Sequence, residues 1–125
     1  ISRQTFQPTL PLPPKELSPN ARVHWGRKAR ATKKYRLTAS VCTDIALKDD
    51  GVEGDYQQAR VQVKLFNRTA HRRDGDNLIA TLKSAFDGIA DALYVDDAEW
   101  THLPPMQETD KDDPRVEVHL APKTK

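Results

Sequence analysis

The stretch ARVQVKLFNRTAHRRDGDNLIATLKSAFDGIADAL, residues 59–93, changes its hydrophobic period part-way, and that change sets the fold. In ARVQVKLF (59–66), Val61, Val63 and Leu65 alternate with Gln62 and Lys64, the two-residue period of a half-buried strand. A polar connection fills 67–75. Leu78, Leu82, Ala85, Phe86, Ile89 and Leu93 then fall on one stripe about 100° wide, which predicts a core-facing helix over 77–92. Asp76 stands where the N-cap of that helix is expected.

Working outward toward the N-terminus, residues 28–47 predict a second helix. Leu37, Val41 and Ile45 recur every four residues, and Tyr35, Cys42 and Ala46 widen the stripe. TFQPTLPL (5–12) predicts a first strand, held to a sheet edge by Pro8 and Pro11. NARVHWG (20–26) reads as a polar-aromatic loop and KDDGVEGD (48–55) as a turn-rich one. Toward the C-terminus, a short strand is expected at 100–103 with Trp100 in the core. A turn at 109–114 and a last strand, RVEVHL (115–120), follow. The order β-α-β-α-β-β predicts an α/β (α+β) fold: a small mixed β-sheet with two main helices packed on it, one domain over residues 1–125.

Composition narrows the classes. Leu, Ile, Val and Phe supply 26 of 125 residues, just above the range of disordered chains, so the core is thin. No run of about 18 apolar residues exists, so no membrane-spanning helix is expected. Cys42 is the one cysteine, which excludes an internal disulfide framework and a thiolate-rich zinc cluster; a reduced, cytosolic setting is expected.

The net charge of +2 hides a separation. No acidic residue occurs from Leu17 to Thr43, where Arg22, Arg27, Lys28, Arg30, Lys33, Lys34 and Arg36 crowd together. From Asp74 to Glu99, seven acids face Lys83 alone. The basic stretch is suited to a polyanion, which it binds by releasing counterions. Carboxylates approach phosphates only across cations, which points to Mg²⁺, with Mn²⁺ able to replace it. The alternative is two solvated helix faces that pair with one another.

The segment His71-Arg72-Arg73-Asp74-Gly75-Asp76-Asn77 carries the sharpest chemistry. In an extended chain, Asp74 and Asp76 point to one side and can share a hard cation. Arg72 and Arg73 beside them suit phosphate oxygens. A plain helix cap or turn is the alternative. Asp96-Asp97, past the helix, returns a further carboxylate if the chain reverses there. Lys83 lies on the helix flank of Asp76 and Asp87, and its stem leans back toward the aspartates, where it can offset charge on a scissile phosphate. A pair with Asp87 is the alternative. The four histidines, His24, His71, His102 and His119, show no metal-ligand spacing. Trp25, beside the basic run, either packs on a nucleotide or anchors its loop.

Together these residues resemble the RusA family of Holliday-junction resolvases. The matching segments are LPLPP (10–14), then LSPNARVHWGRKARATKKYR (17–36), RRDGDN (72–77), LKSAFDGIADALYVDDAEW (82–100) and DKDDPRVEVHL (110–120). The resemblance implies a Mg²⁺-dependent crossover junction endodeoxyribonuclease, with Asp74, Asp76 and Asp97 as catalytic metal ligands. The family's helix lysine most often stands four residues after the second aspartate, which is Ala80 here; Lys83 sits three further on. Arg72, Arg73, Arg27, Lys28, Arg30, Lys33, Lys34 and Arg36 are the expected DNA-binding residues. The implied partners are four-way junction DNA and a second copy in a homodimer, with no membrane and no small-molecule cofactor. The implied setting is the bacterial cytoplasm, with a phage or prophage origin. A flap or fork nuclease and a non-catalytic DNA-binding recombination accessory protein are the alternative readings.

Overall fold

The computed structural model describes residues 6–50 and 55–122. The fold is mixed α+β, a five-stranded mixed sheet with three helices. In chain order the elements are β1 (Thr9–Leu10), α1 (Trp25–Asp50), β2 (Arg60–Asn67), α2 (Gly75–Thr81), α3 (Lys83–Leu93), β3 (Thr101–His102), β4 (Met106–Thr109) and β5 (Arg115–Ala121). Short 3-10 turns occupy Lys15–Leu17 and Asp97–Glu99.

The sheet runs β1-β5-β2-β3. β5 is antiparallel to both β1 and β2, and Val61 faces Leu120 while Val63 faces Val118. β3 and β4 both run parallel to β2, one after the other along the same side. Pro104 and Pro105 separate them, because proline donates nothing to a ladder. The expected short strand at 100–103 is therefore β3, and β4 is an addition that the mixed sequence MQET did not announce. The expected first strand shrinks to β1 with an isolated bridge from Phe6 to Leu120; Thr5 lies outside the described residues.

Val61, Val63 and Leu65 of β2 join Val116, Val118 and Leu120 of β5 in one apolar layer. Tyr35 and Ala39 of α1 and Leu82, Phe86 and Ile89 from the helical segment after β2 cover it. Trp100 is buried as expected, its Nε1 donating to the Tyr56 carbonyl at 2.7 Å.

The two helices differ from expectation in instructive ways. α1 begins at Trp25, three residues early, because His24 caps it: Gly26 N donates to His24 Nδ1 at 3.1 Å. Its apolar stripe faces the wrong way. Leu37, Val41 and Ile45 are 64%, 48% and 55% exposed, while the buried side carries Tyr35, Ala39 and Thr43. The reason lies across the interface. A Cβ on Gly88 of α3 would sit 2.1 Å from the Arg36 carbonyl and 3.0 Å from Ala39 Cβ. Helices this close leave room for small residues only, so α1 turns its small face inward. Cys42, expected in the core, packs half-buried at its edge.

The single helix expected over 77–92 is two. Leu82, at φ −92° and ψ 5°, breaks it. Its amide contacts the carbonyls of both Leu78 (3.1 Å) and Ile79 (3.2 Å), the tightened geometry of a helix end. Leu82 is fully buried, and the bend leaves Leu78, Leu82, Phe86 and Ile89 all in the core.

Candidate active site

The Arg-Arg-Asp segment is held by a residue that the sequence did not mark. Gln107 of β4 accepts from Arg73 N at 2.9 Å through Oε1, and from buried Asn67 Nδ2 at 3.1 Å. Its Nε2 donates to the Arg73 carbonyl at 2.6 Å, and its own carbonyl accepts from the Arg72 guanidinium. One amide thus fixes the backbone that enters α2. No sequence signal pointed to it, because its role depends on β4 lying parallel to β2.

The N-cap of α2 is Asp74, not Asp76: Asp74 Oδ1 accepts from Asn77 N at 3.1 Å. Helical geometry starts at Gly75, which places Asp76 in the first turn. The two carboxylates therefore do not sit on one side of an extended segment. Both are exposed.

Clefts lie on either side of α2. One, of about 460 Å³, is lined by Lys15, Ser18, Asn20, Arg72, Arg73 and Asp74, together with the Asn77 and Thr81 side of the helix. The other, of about 310 Å³, takes the Ile79 and Ala80 side with Lys83, Asp97, Trp100 and His102. Asp97 also lines a neighbouring hollow of about 270 Å³ with Arg36, Asp87, Asp91 and Asp96. Asp97 and Asp74 thus line different clefts. Among the described residues, no three His, Cys, Asp or Glu side chains come together closely enough to hold a metal ion.

What gathers around Asp97 is a different set. Asp87 is half-buried, and burial pushes its carboxyl above the ordinary carboxylate range. The negative charge of Asp97 pushes the same way, while Arg36 and Lys83 pull back. Arg36 spans from α1 to α3, donating to Asp91 through Nε (2.8 Å) and Nη2 (2.9 Å), with Asp87 at 4.0 Å. That fork holds Asp91 below the usual carboxylate range. His102 packs its ring on Phe86 at 4.7 Å between centroids. Burial lowers its pKa, Lys83 adds to the drop and Asp97 opposes it. Lys83 opens α3 and makes no ion pair among the described residues.

The expected DNA-contacting residues divide. Arg30, Lys33 and Lys34 are exposed, and Lys28 is half-buried. Arg27 is engaged with Glu16 at 3.2 Å. Arg36 is committed to Asp91 and Asp87 and so belongs to the acidic hollow rather than to an open basic face. Arg36 with Asp91 and Asp87 realises the alternative offered from sequence, a basic helix that pairs with the acidic one; which residues pair was not legible. The helical spacing of Asp87 and Asp91 was visible, but their partner lies 51 and 55 positions away on α1.

No family model matches the chain. It is similar to an uncharacterized protein of the bacterium Xylella fastidiosa (strain Temecula1 / ATCC 700964), with 36% identity over 106 residues. The match covers 80% of this chain and 65% of that protein, so the chain spans less than two-thirds of the length of this relative. No helix among the described residues is long and apolar enough to cross a membrane.

Proposed function

We propose that the chain is a divalent-metal-dependent endonuclease of the RusA type, acting on four-way DNA junctions in a bacterial, phage or prophage setting. The observation that supports this reading is that Asp97 lines one hollow with Asp87 and one cleft with Lys83, which makes no ion pair among the described residues, across α2 from the Arg72-Arg73 segment.

The donor chemistry of the acid pair fits the metal. Mg²⁺ is held by one or two carboxylates and completes its shell with water and substrate phosphate. Asp87 and Asp97 offer that pair, since both line one hollow beside α3. Asp76 stands one turn before Ala80, which lines the same cleft as Lys83. Asp87 and Asp97 would hold the cation, which would supply an activated water and offset phosphate charge.

The chain's own residues supply the rest. Lys83 adds positive charge to the cleft, placed to favour the charge that develops on a phosphate during cleavage. Arg36 draws Asp91 away from the acid pair by a bidentate fork. Gln107 keeps the Arg72-Arg73 backbone in one conformation, and Arg73 with Lys15 lines the neighbouring cleft for the DNA backbone. Such contacts position DNA without reading its sequence. Two copies related by a two-fold axis would nick opposing strands. The exposed stripe of Leu37, Val41 and Ile45 supports self-association, since contiguous exposed apolar surface marks interaction sites.

A second reading, DNA binding without turnover, is favoured by one observation: Asp74, Asp76 and Asp97 are not gathered into one ligand group. An immobile four-way junction, incubated with and without Mg²⁺, separates the two. We expect paired symmetric nicks with Mg²⁺ and none in EDTA. Asp97→Asn should lower cutting by about 100-fold or more, the scale of losing a group that acts in the transition state, with junction binding retained. Asp74→Asn is the finer test. Asparagine caps as well as aspartate, so the fold survives; lost cutting assigns Asp74 to the chemistry, and retained cutting leaves it as a cap. Cutting by Asp97→Asn at full rate, or cutting in EDTA, overturns the endonuclease reading.

A further inference from the structure

Trp25 is 78% exposed at the start of α1, an unusual place for the largest apolar side chain. It does not anchor its loop. The residue before it is pinned: His24 Nδ1 accepts from Gly26 N at 3.1 Å, and Lys28 N donates to the His24 carbonyl at 3.0 Å. The Trp25 indole stacks on that fixed imidazole, with ring centroids 5.5 Å apart and planes 30° apart. One face of the indole is therefore backed and the ring carries a large open surface. Gly26 keeps the adjoining surface low, since a Cβ there would lie 3.2 Å from His24 Nδ1 and 3.6 Å from Arg30 Nη1. Arg30 reaches this corner from the next turn of α1, and Arg22 stands three residues before Trp25; both are exposed.

We infer that the His24–Trp25 pair is a stacking platform for a nucleobase or base-pair face exposed at a DNA branch point. The inference rests on the endonuclease reading for its ligand class and assigns the residue that tells branched DNA from linear duplex. A flat π-surface beside exposed arginine matches a flat π-ligand carried on a polyanion. Inside a linear duplex every base face is already covered by its neighbours. At a branch point the stack is interrupted, and a face is free to be covered by the indole. The phosphates on either side then meet Arg22 and Arg30.

The test is a binding titration in EDTA, where no cutting intervenes. An immobile four-way junction is compared with a linear duplex of equal length whose ends are closed by hairpins. Tryptophan emission reports through the part of the signal that Trp25→Ala removes, because Trp25 is open while Trp100 is buried in the wall of the Lys83 cleft. We expect the junction to quench Trp25 and the closed duplex to leave it nearly unchanged. Base–aromatic stacking is of a size that Trp25→Ala should weaken junction binding about tenfold, with duplex affinity unchanged. Trp25→Phe should keep most of the preference. Equal junction affinity in Trp25→Ala and the unsubstituted chain overturns the platform while leaving the endonuclease reading intact. Quenching by anionic phospholipid vesicles and not by the junction overturns it in favour of a membrane surface. Binding to neither DNA overturns both the platform and the endonuclease reading.

Discussion

α1 and α3 cross at close range, yet they present their apolar residues in opposite senses. α3 puts Phe86 and Ile89 into the core and keeps Asp87 and Asp91 outside, as its periodicity predicts. α1 keeps Leu37, Val41 and Ile45 outside and buries Ala39 and Thr43, with Thr43 Oγ1 returned to the Ala39 carbonyl at 2.7 Å. The difference shows that an apolar stripe names a contact face without naming the partner. α3 is buried on two sides, with Phe86 and Ile89 in the common core and Gly88 against α1. In α1 the inward face is set by how near Gly88 lets the helices come, and the larger residues are left for something outside the chain.

The harshest way to break this arrangement is to fill Gly88. Any side chain there meets the Arg36 carbonyl, which is backbone and cannot step aside. Gly88→Ala should cost about 1–3 kcal/mol as an overpacked site, and Gly88→Val more. A chemical denaturation series checks this. A loss under about 0.5 kcal/mol for Gly88→Ala would mean that the helices stand farther apart than described.

Substitutions on the two apolar stripes sharpen the contrast. Ile89→Ala should cost about 2–5 kcal/mol, the range for emptying a buried aliphatic site. Val41→Glu lies on a half-exposed position and should change the stability of a single copy by about 0.5 kcal/mol or less, like other surface changes. It should instead abolish self-association, seen as a halved mass in sedimentation at concentrations where the unsubstituted chain pairs. A chain already monomeric at those concentrations, with no effect of Val41→Glu, removes the homodimer from the proposal.

The same contrast explains what was legible in the sequence. β2 and β5 could be read because their alternation is local and both face one layer. The helix after the Arg-Arg-Asp segment could be read as apolar on one side, but its break at Leu82 could not, since the bend answers to core contacts and not to a Gly or Pro. β4 escaped because its strand state depends on β2 beside it. At the candidate site, Lys83 and Asp97 do line one cleft, as two residues marked from sequence alone. Asp74 turned out to be a cap. Asp87 and Gln107 acquired their roles through partners distant in the chain, and no spacing rule reaches that far.

The smallest expected effect on the fold concerns Asp87, and it tests whether the acid pair is kept for a purpose. Burial and Asp97 raise its folded pKa above the unfolded value. A raised acid favours its protonated form in the folded state, so its contribution to stability is present at low pH and is lost as pH rises through the folded pKa. Asp91, lowered by Arg36, runs the other way: its contribution is present above the ordinary carboxylate pKa and fades as pH falls below it. Asp87→Asn should therefore raise the melting temperature at pH 7 and give little or no gain near pH 3, where the native carboxyl is protonated. Asp91→Asn should lower it at pH 7, and this loss should shrink on acidification. If Asp87→Asn stabilises the chain while removing Mg²⁺-dependent cutting, the strained pair is retained at the expense of stability for its chemistry. If it destabilises at pH 7, Arg36 and Lys83 outweigh Asp97, and the pair is an ordinary part of the ion network between α1 and α3.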